Sequence, residues 1–267
     1  MASVLGVYAK VVRAQIRSQT QYRLSFAFEV FGSVIINGLD LATVFVLFSV
    51  AGSLGGFAGP EVFLIAALSA FAFSAADLVV GNADKLRDYV RTGLFDTLLL
   101  RPLSALWQLL AVNFAPRRAG RAIQGGIIYA IALVVADIGW DVPRIVLAVV
   151  APIAGAVFFG SLFVAGATVA FWWVESGEVA NAFTYGGNDF TLYPSTMFGD
   201  WFRTVFGSVL GFSFVAYLPT LALIGRSDPL GTPDWLRWCS PVTALIAAVV
   251  ARAFWRLGVR HYRSTGS

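Results

Sequence analysis

The amino-acid sequence predicts an all-α polytopic membrane protein whose chain crosses the bilayer six times. Hydrophobic residues make up 58% of the 267 residues and charged residues only 13%, with a mean hydropathy of +0.76. The apolar runs are continuous and close to the ~20 residues that a helix needs to cross ~30 Å of hydrocarbon. Barrel strands would instead alternate apolar and polar residues over roughly ten positions. We therefore predict one transmembrane domain over residues 1–267, with spans at about 26–50, 61–83, 122–139, 145–174, 204–224 and 241–257.

Residues 4–23 precede the first span and have the pattern of an amphipathic helix. At about 100° per residue, one face is apolar and the opposite face carries Lys10, Arg13 and Arg17. Such a helix can lie in the headgroup layer with its bases toward anionic lipid. The alternative is an ordinary flanking helix that packs on protein.

The distribution of basic residues predicts the orientation of the chain. With the N-terminus in the cytoplasm, the cytoplasmic side holds 16 of the 19 bases, Arg203 among them. The other side holds Arg144, Arg226 and Arg237. Because bases favour the cytoplasmic side, this distribution predicts that both termini are cytoplasmic and that the number of spans is even.

Polar side chains inside the first and fifth spans are candidate functional residues. In span 1, Glu29, Ser33 and Asp40 share one helix face and Asn37 flanks it. A carboxylate at mid-membrane costs about 3 kcal/mol, so these residues are candidates for a translocation pathway or an intersubunit polar contact. The alternative is a structural hydrogen bond to another span. In span 5, the GxxxG pair Gly207 and Gly211 permits close helix packing, within the bundle or at a dimer seam.

The segment between spans 2 and 3, residues 84–121, is too apolar for a free loop and too charged for a span. Residues 84–92 are compatible with a helix, Gly93 can end it, and Pro102 breaks the apolar stretch after that glycine. On these grounds the 84–121 segment is either a helix on the membrane surface or a docking element for a cytoplasmic partner.

This segment also carries a resemblance to a known family. Residues 91–106, RTGLFDTLLLRPLSAL, contain a base, a glycine, an acid and an Arg-Pro pair in that order. The chain length, the basic amphipathic N-terminal helix, the six predicted spans and the basic, aromatic tail WRLGVRHYR from Trp255 agree with it. In these features the sequence resembles the six-span permease subunits of bacterial ABC transporters of the second exporter class, the ABC-2-like family.

The resemblance implies a function and a set of partners. The 84–121 segment would include the coupling helix that seats in a groove of a cytoplasmic ATPase. Two permeases, identical or homologous, would form a channel over two ATPases in the bacterial plasma membrane, with the lipid bilayer around them and no nucleic-acid partner. Short re-entrant or external helices would lie between spans 5 and 6, where this chain has residues 225–240. The implied ATPase-coupling residues are Asp84, Arg87, Asp88, Arg91, Gly93, Phe95, Asp96, Arg101 and Pro102.

The sequence carries no nucleotide-binding loop of its own. A Walker A loop needs Gly-Lys-Ser/Thr, and the two lysines, Lys10 and Lys85, follow Ala9 and Asp84. We therefore expect ATP and Mg²⁺ to bind in the partner ATPase, with no catalytic residue and no cofactor in this chain. One cysteine, Cys239, and one histidine, His261, are a poor basis for a metal site, and none is predicted.

Two other functions compete with a transporter subunit. A stand-alone channel or ion-coupled secondary transporter would call for intramembrane charge pairs or inverted repeats, and the sequence shows no convincing repeat. A membrane enzyme would call for clustered acids, histidines or lysines at the interface, whereas the carboxylates here are scattered. The permease of an ATP-driven exporter is the preferred interpretation.

Overall fold

The computed structural model describes residues 31–32, 35, 53–111 and 116–263. The predicted amphipathic helix and almost all of the first span, with Glu29, Ser33, Asn37 and Asp40, lie outside the described residues. The prediction of an all-α membrane protein is confirmed, because helices dominate the described residues and the only β feature there is one isolated bridge between Leu54 and Phe57.

Ten helices, numbered here within the described residues, build the bundle. Short 3-10 turns connect several of them. The helices are α1 (Gly59–Val80), α2 (Leu86–Arg91), α3 (Leu94–Leu99), α4 (Ala105–Ala111), α5 (Pro116–Val135), α6 (Val142–Thr168), α7 (Gly177–Thr191), α8 (Asp200–Phe202, continued by a π-helix over Arg203–Val209), α9 (Tyr217–Ile224) and α10 (Ser240–His261).

Four of these helices, α1, α5, α6 and α10, are long and apolar enough to cross a membrane. A fifth candidate is the bent pair Asp200–Val209 and Phe212–Ile224, whose halves meet at 64°. The count of six spans stays a prediction. We call the end of the bundle where α1 finishes and α5 begins the basic end, and the opposite end the far end.

Helices α1 and α6 form the centre of the bundle, and α5 and α10 flank them. Just over half of the apolar window of α1 and of α6 is buried (56% each), against 17% for α5 and 22% for α10. Small residues allow the close approach: a side chain at Gly155 of α6 would collide with Ala72 of α1. The outward faces of α5 and α10 keep exposed apolar residues such as Val134 and Leu245, which suits a surface in contact with lipid.

Helix α7 and the residues after it carry the chain from the basic end to the far end. The helix begins at Gly177, where any side chain would collide with the Arg87 guanidinium. Where it ends, halfway along the bundle, the hydroxyls of Thr191 and Ser69 are 2.6 Å apart. The Thr196 hydroxyl then donates to the Gly55 carbonyl, 2.8 Å away and just before α1 begins. Among the described residues, the passage that follows α6 therefore starts at Gly177, whereas the hydropathy pattern placed the next span at 204–224.

Residues 200–224, which we call the re-entrant hairpin, enter the bundle from the far end and return to it. The hairpin turns where Phe212 packs against Phe158, in the middle of α6, with ring centroids 5.4 Å apart. It leaves at the far end, where the Arg226 guanidinium binds the Glu61 carboxylate at 2.7 Å. The predicted span at 204–224 is therefore a bent pair whose two ends lie on the same side. The residues of this predicted span are apolar, but the chain turns at Gly211 and does not continue as one helix.

Glycines make the turn of this hairpin possible. Gly211 has a φ of 88°, in the left-handed region, and its missing side chain leaves room for Thr243 of α10. Gly207 packs against Ser213 of the returning half. Both glycines of the predicted GxxxG pair therefore lie close to side chains of their own chain, and they lie at a turn rather than along a continuous helix.

Replacing Gly211 by alanine should destabilise the hairpin. The positive φ costs an L-residue about 1–2 kcal/mol, and the new methyl group would collide with Thr243. We expect a lower unfolding temperature in detergent and faster proteolysis within residues 200–224. Gly199→Ala is the matched control, because Gly199 has a φ of −60° and no atom near the position of a Cβ. Equal effects of the two substitutions would contradict the assignment of Gly211 to a strained turn.

Candidate functional site at the basic end of the bundle

The 84–121 segment crosses the basic end as a series of short helices. A 3-10 turn, Gly81–Lys85, leads from α1 into α2, and Gly93 with a φ of 72° reverses the chain between α2 and α3. Helix α4 then runs to Ala111. Residues 81–111 thus form a compact series of short helices rather than one surface helix, and we call them the platform.

A buried ion pair anchors this platform to the bundle. The Asp77 carboxylate, near the end of α1, lies 3.1 Å from Arg118 Nε and 3.6 Å from an Arg121 nitrogen. Arg118 also donates to the Asn82 amide oxygen at 2.7 Å, and the Asn82 amide donates to the Leu110 carbonyl at 3.0 Å. The network joins the two ends of the platform to α1 and α5. No local pattern in the sequence indicates these partners of Asp77.

An aromatic cluster fastens α3 to the ends of α6 and α10. The Phe95 side chain is fully buried, and its ring centroid is 5.0 Å from Phe171, 4.9 Å from Tyr262 and 6.5 Å from Trp255. Tyr262 also lies beside the Asp96 carboxylate, and burial together with this carboxylate raises the pKa of the Tyr262 phenol. The motif residue Phe95 and the aromatic tail that entered the resemblance therefore contact each other directly.

The turn between α3 and α4 is closed by one buried amide. Gln108 Nε2 donates to the carbonyls of Leu98 and Leu103, each at 2.9 Å. These bonds hold residues 99–103, which we call the tip, in a fixed bend. The sequence does not predict this role of Gln108, because nothing in the neighbouring tryptophan and leucines indicates which carbonyls its amide binds.

The tip projects from the protein. Leu100 is 86% exposed, and Arg101 and Pro102 are exposed beside it. A strongly exposed leucine next to an arginine and a proline, supported from beneath by the aromatic cluster and the Gln108 amide, is a rigid, mixed apolar and basic surface. Of these residues, arginine is one that is enriched at contact surfaces between proteins.

The structure separates the nine predicted coupling residues into two groups. Gly93 and Asp96 are half-buried and Phe95 is fully buried, so Phe95 supports the platform from within and presents no surface to a partner. The other six are exposed at the basic end: Asp84, Arg87, Asp88, Arg91, Arg101 and Pro102. Within the described part of the chain, no cluster of three His, Cys, Asp or Glu side chains is arranged to hold a metal ion.

Comparison with known families gives this platform a context. A family profile described as "ABC-2 family transporter protein" matches residues 34–266. The chain belongs to the ABC-2 transporter family. It is an integral membrane component of an ABC transporter, and permeases of this family normally work with an ATPase subunit. No curated protein and no solved structure matches the chain.

Breaking the Asp77 ion pair in this ABC-2 protein should cost much more stability than breaking an exposed one. Asp77→Asn leaves the Arg118 charge buried without its counter-ion, a change that typically costs about 3–5 kcal/mol. Asp200→Asn is the control, because the Asp200–Arg203 pair at 2.8 Å is open to solvent on the Asp200 side and is worth about 0–1 kcal/mol. Denaturation in detergent measures both; similar losses would contradict an anchoring role for Asp77.

Removing the Phe95 ring should loosen α3 without unfolding the bundle. Truncating a buried phenylalanine to alanine costs about 3–5 kcal/mol, and here that loss falls on the contacts of α3 with Phe171 and Tyr262. We expect faster amide hydrogen exchange over residues 94–99 in Phe95→Ala. The neighbouring Leu94→Ala, at a half-exposed side chain, should leave exchange nearly unchanged. Unchanged protection in Phe95→Ala would refute the role of the cluster.

Proposed function

We propose that this ABC-2 protein is the permease subunit of an ATP-driven exporter, and that the tip of the 84–121 segment seats in a groove of a separate cytoplasmic ATPase. The observation that carries this proposal is the rigid support of an exposed tip. Leu100, Arg101 and Pro102 project outward, while Phe95 and Gln108 beneath them are buried and fixed.

A docking element that transmits motion has to be stiff, because a flexible loop would absorb the displacement. The tip meets this requirement through its connection to three long helices. The Asp77–Arg118 pair ties the platform to α1 and α5, and the Phe95 cluster ties it to α10 through Trp255. Movement of an ATPase against the tip would therefore act on the bundle as a whole.

The complete transporter, in this proposal, contains two permeases, identical or homologous, over two ATPases. ATP and Mg²⁺ bind in the ATPases, and this chain supplies the translocation pathway without catalytic residues or a cofactor. ATP binding draws the ATPases together, and the tips pass that movement to the spans. Glu29, Ser33, Asn37 and Asp40 stay the predicted polar residues of the pathway or of the contact between permeases.

The proposed orientation places the basic end and both termini in the cytoplasm of a bacterial cell. Arg203, which the sequence pattern assigned to the cytoplasmic side, belongs to the far-end re-entrant hairpin, so the predicted distribution of bases becomes 15 to 4 instead of 16 to 3. The excess on one side remains large enough to support this orientation.

An assembly and turnover assay tests the proposal. Leu100→Asp should weaken co-purification with the cytoplasmic ATPase and abolish the stimulation of ATP hydrolysis by the permease, because it places a charge at the centre of the contact. If Leu100 is a hot spot of the contact, its loss costs about 2 kcal/mol, which is roughly a 30-fold loss of affinity. Co-purification from mild detergent and ATP turnover in liposomes are the measurements.

Leu230→Asp is the matched control, because Leu230 is an exposed leucine on the loop before α10, at the far end. It should assemble and stimulate ATP hydrolysis normally. If Leu100→Asp also assembles and stimulates normally, the tip is not the ATPase contact. Flux through the purified protein without nucleotide would instead support a stand-alone channel or an ion-coupled transporter.

A further inference from the structure

A large groove runs along the side of the bundle between α1, α6 and α10. Its volume is about 1380 Å³, above the 300–1,000 Å³ that is typical of sites for drug-sized ligands. It extends from Ala248 and Pro152, in the middle of the bundle, to Arg260 near the basic end. Twelve helical residues separate Ala248 from Arg260, so this dimension is roughly 18 Å.

The walls of the groove are mostly apolar but include Ser104 and Ser161, and its charged side chains are three arginines. Arg252, Arg256 and Arg260 follow one another at intervals of four residues, so they share a face of α10, and all three line the groove. In the described part of the chain, no carboxylate lies within 4.0 Å of any of them. By contrast, several other arginines of this chain pair with aspartate or glutamate, among them Arg118 and Arg226.

We propose that this groove binds an anionic phospholipid of the leaflet at the basic end. The groove is complementary to a lipid in a bilayer, because its walls are apolar toward the middle of the bundle and positively charged toward the basic end. The acyl chains would lie along Ala248 and Ile153, and the phosphate would meet the arginines. Side chains at the rim, such as Val79 and Val157, are exposed, and a lipid would enter from the side past them.

The charge of the groove calls for an anionic occupant. A phosphate group is the direct counterpart of three guanidinium groups that lack a carboxylate among the described residues. Anionic lipid is also the negative component that bases near a membrane surface attract, at roughly a fivefold gain in binding for each arginine.

Native mass spectrometry tests this site on the purified full-length protein. The protein is delipidated in neutral detergent and then incubated with phosphatidylglycerol or phosphatidylcholine of the same acyl chains. We expect preferential retention of phosphatidylglycerol. The triple variant R252Q/R256Q/R260Q should lose roughly 100-fold in apparent affinity and show no preference. Each single substitution should lose roughly fivefold, which keeps the test open if the triple variant does not fold.

Two matched controls locate the site. R91Q/R101Q/R263Q removes three bases near the same end that do not line the groove and should keep the preference. Ala248→Phe fills the groove and should reduce retention of phosphatidylglycerol, whereas Ala253→Phe, on the exposed face of the same helix, should not. Equal retention of both lipids by the unmodified protein, equal loss in both triple variants, or no effect of Ala248→Phe would each overturn the proposal.

Discussion

The buried carboxylate of Asp77 is the constraint on which the basic end of this protein depends. A charge in that environment is tolerated only with a counter-ion and filled hydrogen-bonding positions, and Arg118 and Arg121 supply the counter-charge. Arg118 then reaches Asn82, and Asn82 reaches the Leu110 carbonyl. The two ends of the platform are thereby closed into one unit with α1 and α5, and the tip projects from this closed base rather than from a free loop.

An ion pair also joins separate parts of the chain at the far end. Arg226 binds the Glu61 carboxylate and the Gly56 carbonyl, and its guanidinium lies 4.2 Å from the centre of the Phe57 ring. It thereby fixes the returning limb of the re-entrant hairpin to the start of α1. The returning limb of the hairpin, residues 211–223, is mostly buried in protein, and the hydroxyls of Ser195 and Ser213 meet there at 2.9 Å. The entering limb, residues 200–210, is buried only at Gly207. Irregular backbone at membrane depth is stable only with such protein partners.

Hydropathy predicted the membrane class, the positions of α1, α5, α6 and α10, and the existence of the platform between α1 and α5. It failed at α7, whose Glu178, Asn181, Asn188 and Asp189 lower the average although the helix runs into the bundle. Hydropathy also predicted one span where the hairpin lies, because an average over a window of residues does not detect the turn at Gly211.

The family motif predicted that Phe95 contacts the ATPase, because a sequence motif carries no information on which of its side chains are buried. Asp77 and Arg118 are 41 positions apart, so only the fold brings them together.

The proposed lipid groove and the proposed docking platform share a wall. Trp255 lines the groove on α10 and also packs against Phe95 beneath the tip, and Trp107 of α4 lines the groove from the platform itself. A molecule in the groove would therefore touch the same side chains that hold the tip in place. Because buried aromatic clusters repack in discrete steps rather than deforming smoothly, filling or emptying the groove would shift the platform as a body. The proposed lipid site and the proposed coupling of ATP hydrolysis to transport would then be linked through side chains that both share, Trp255 and Trp107.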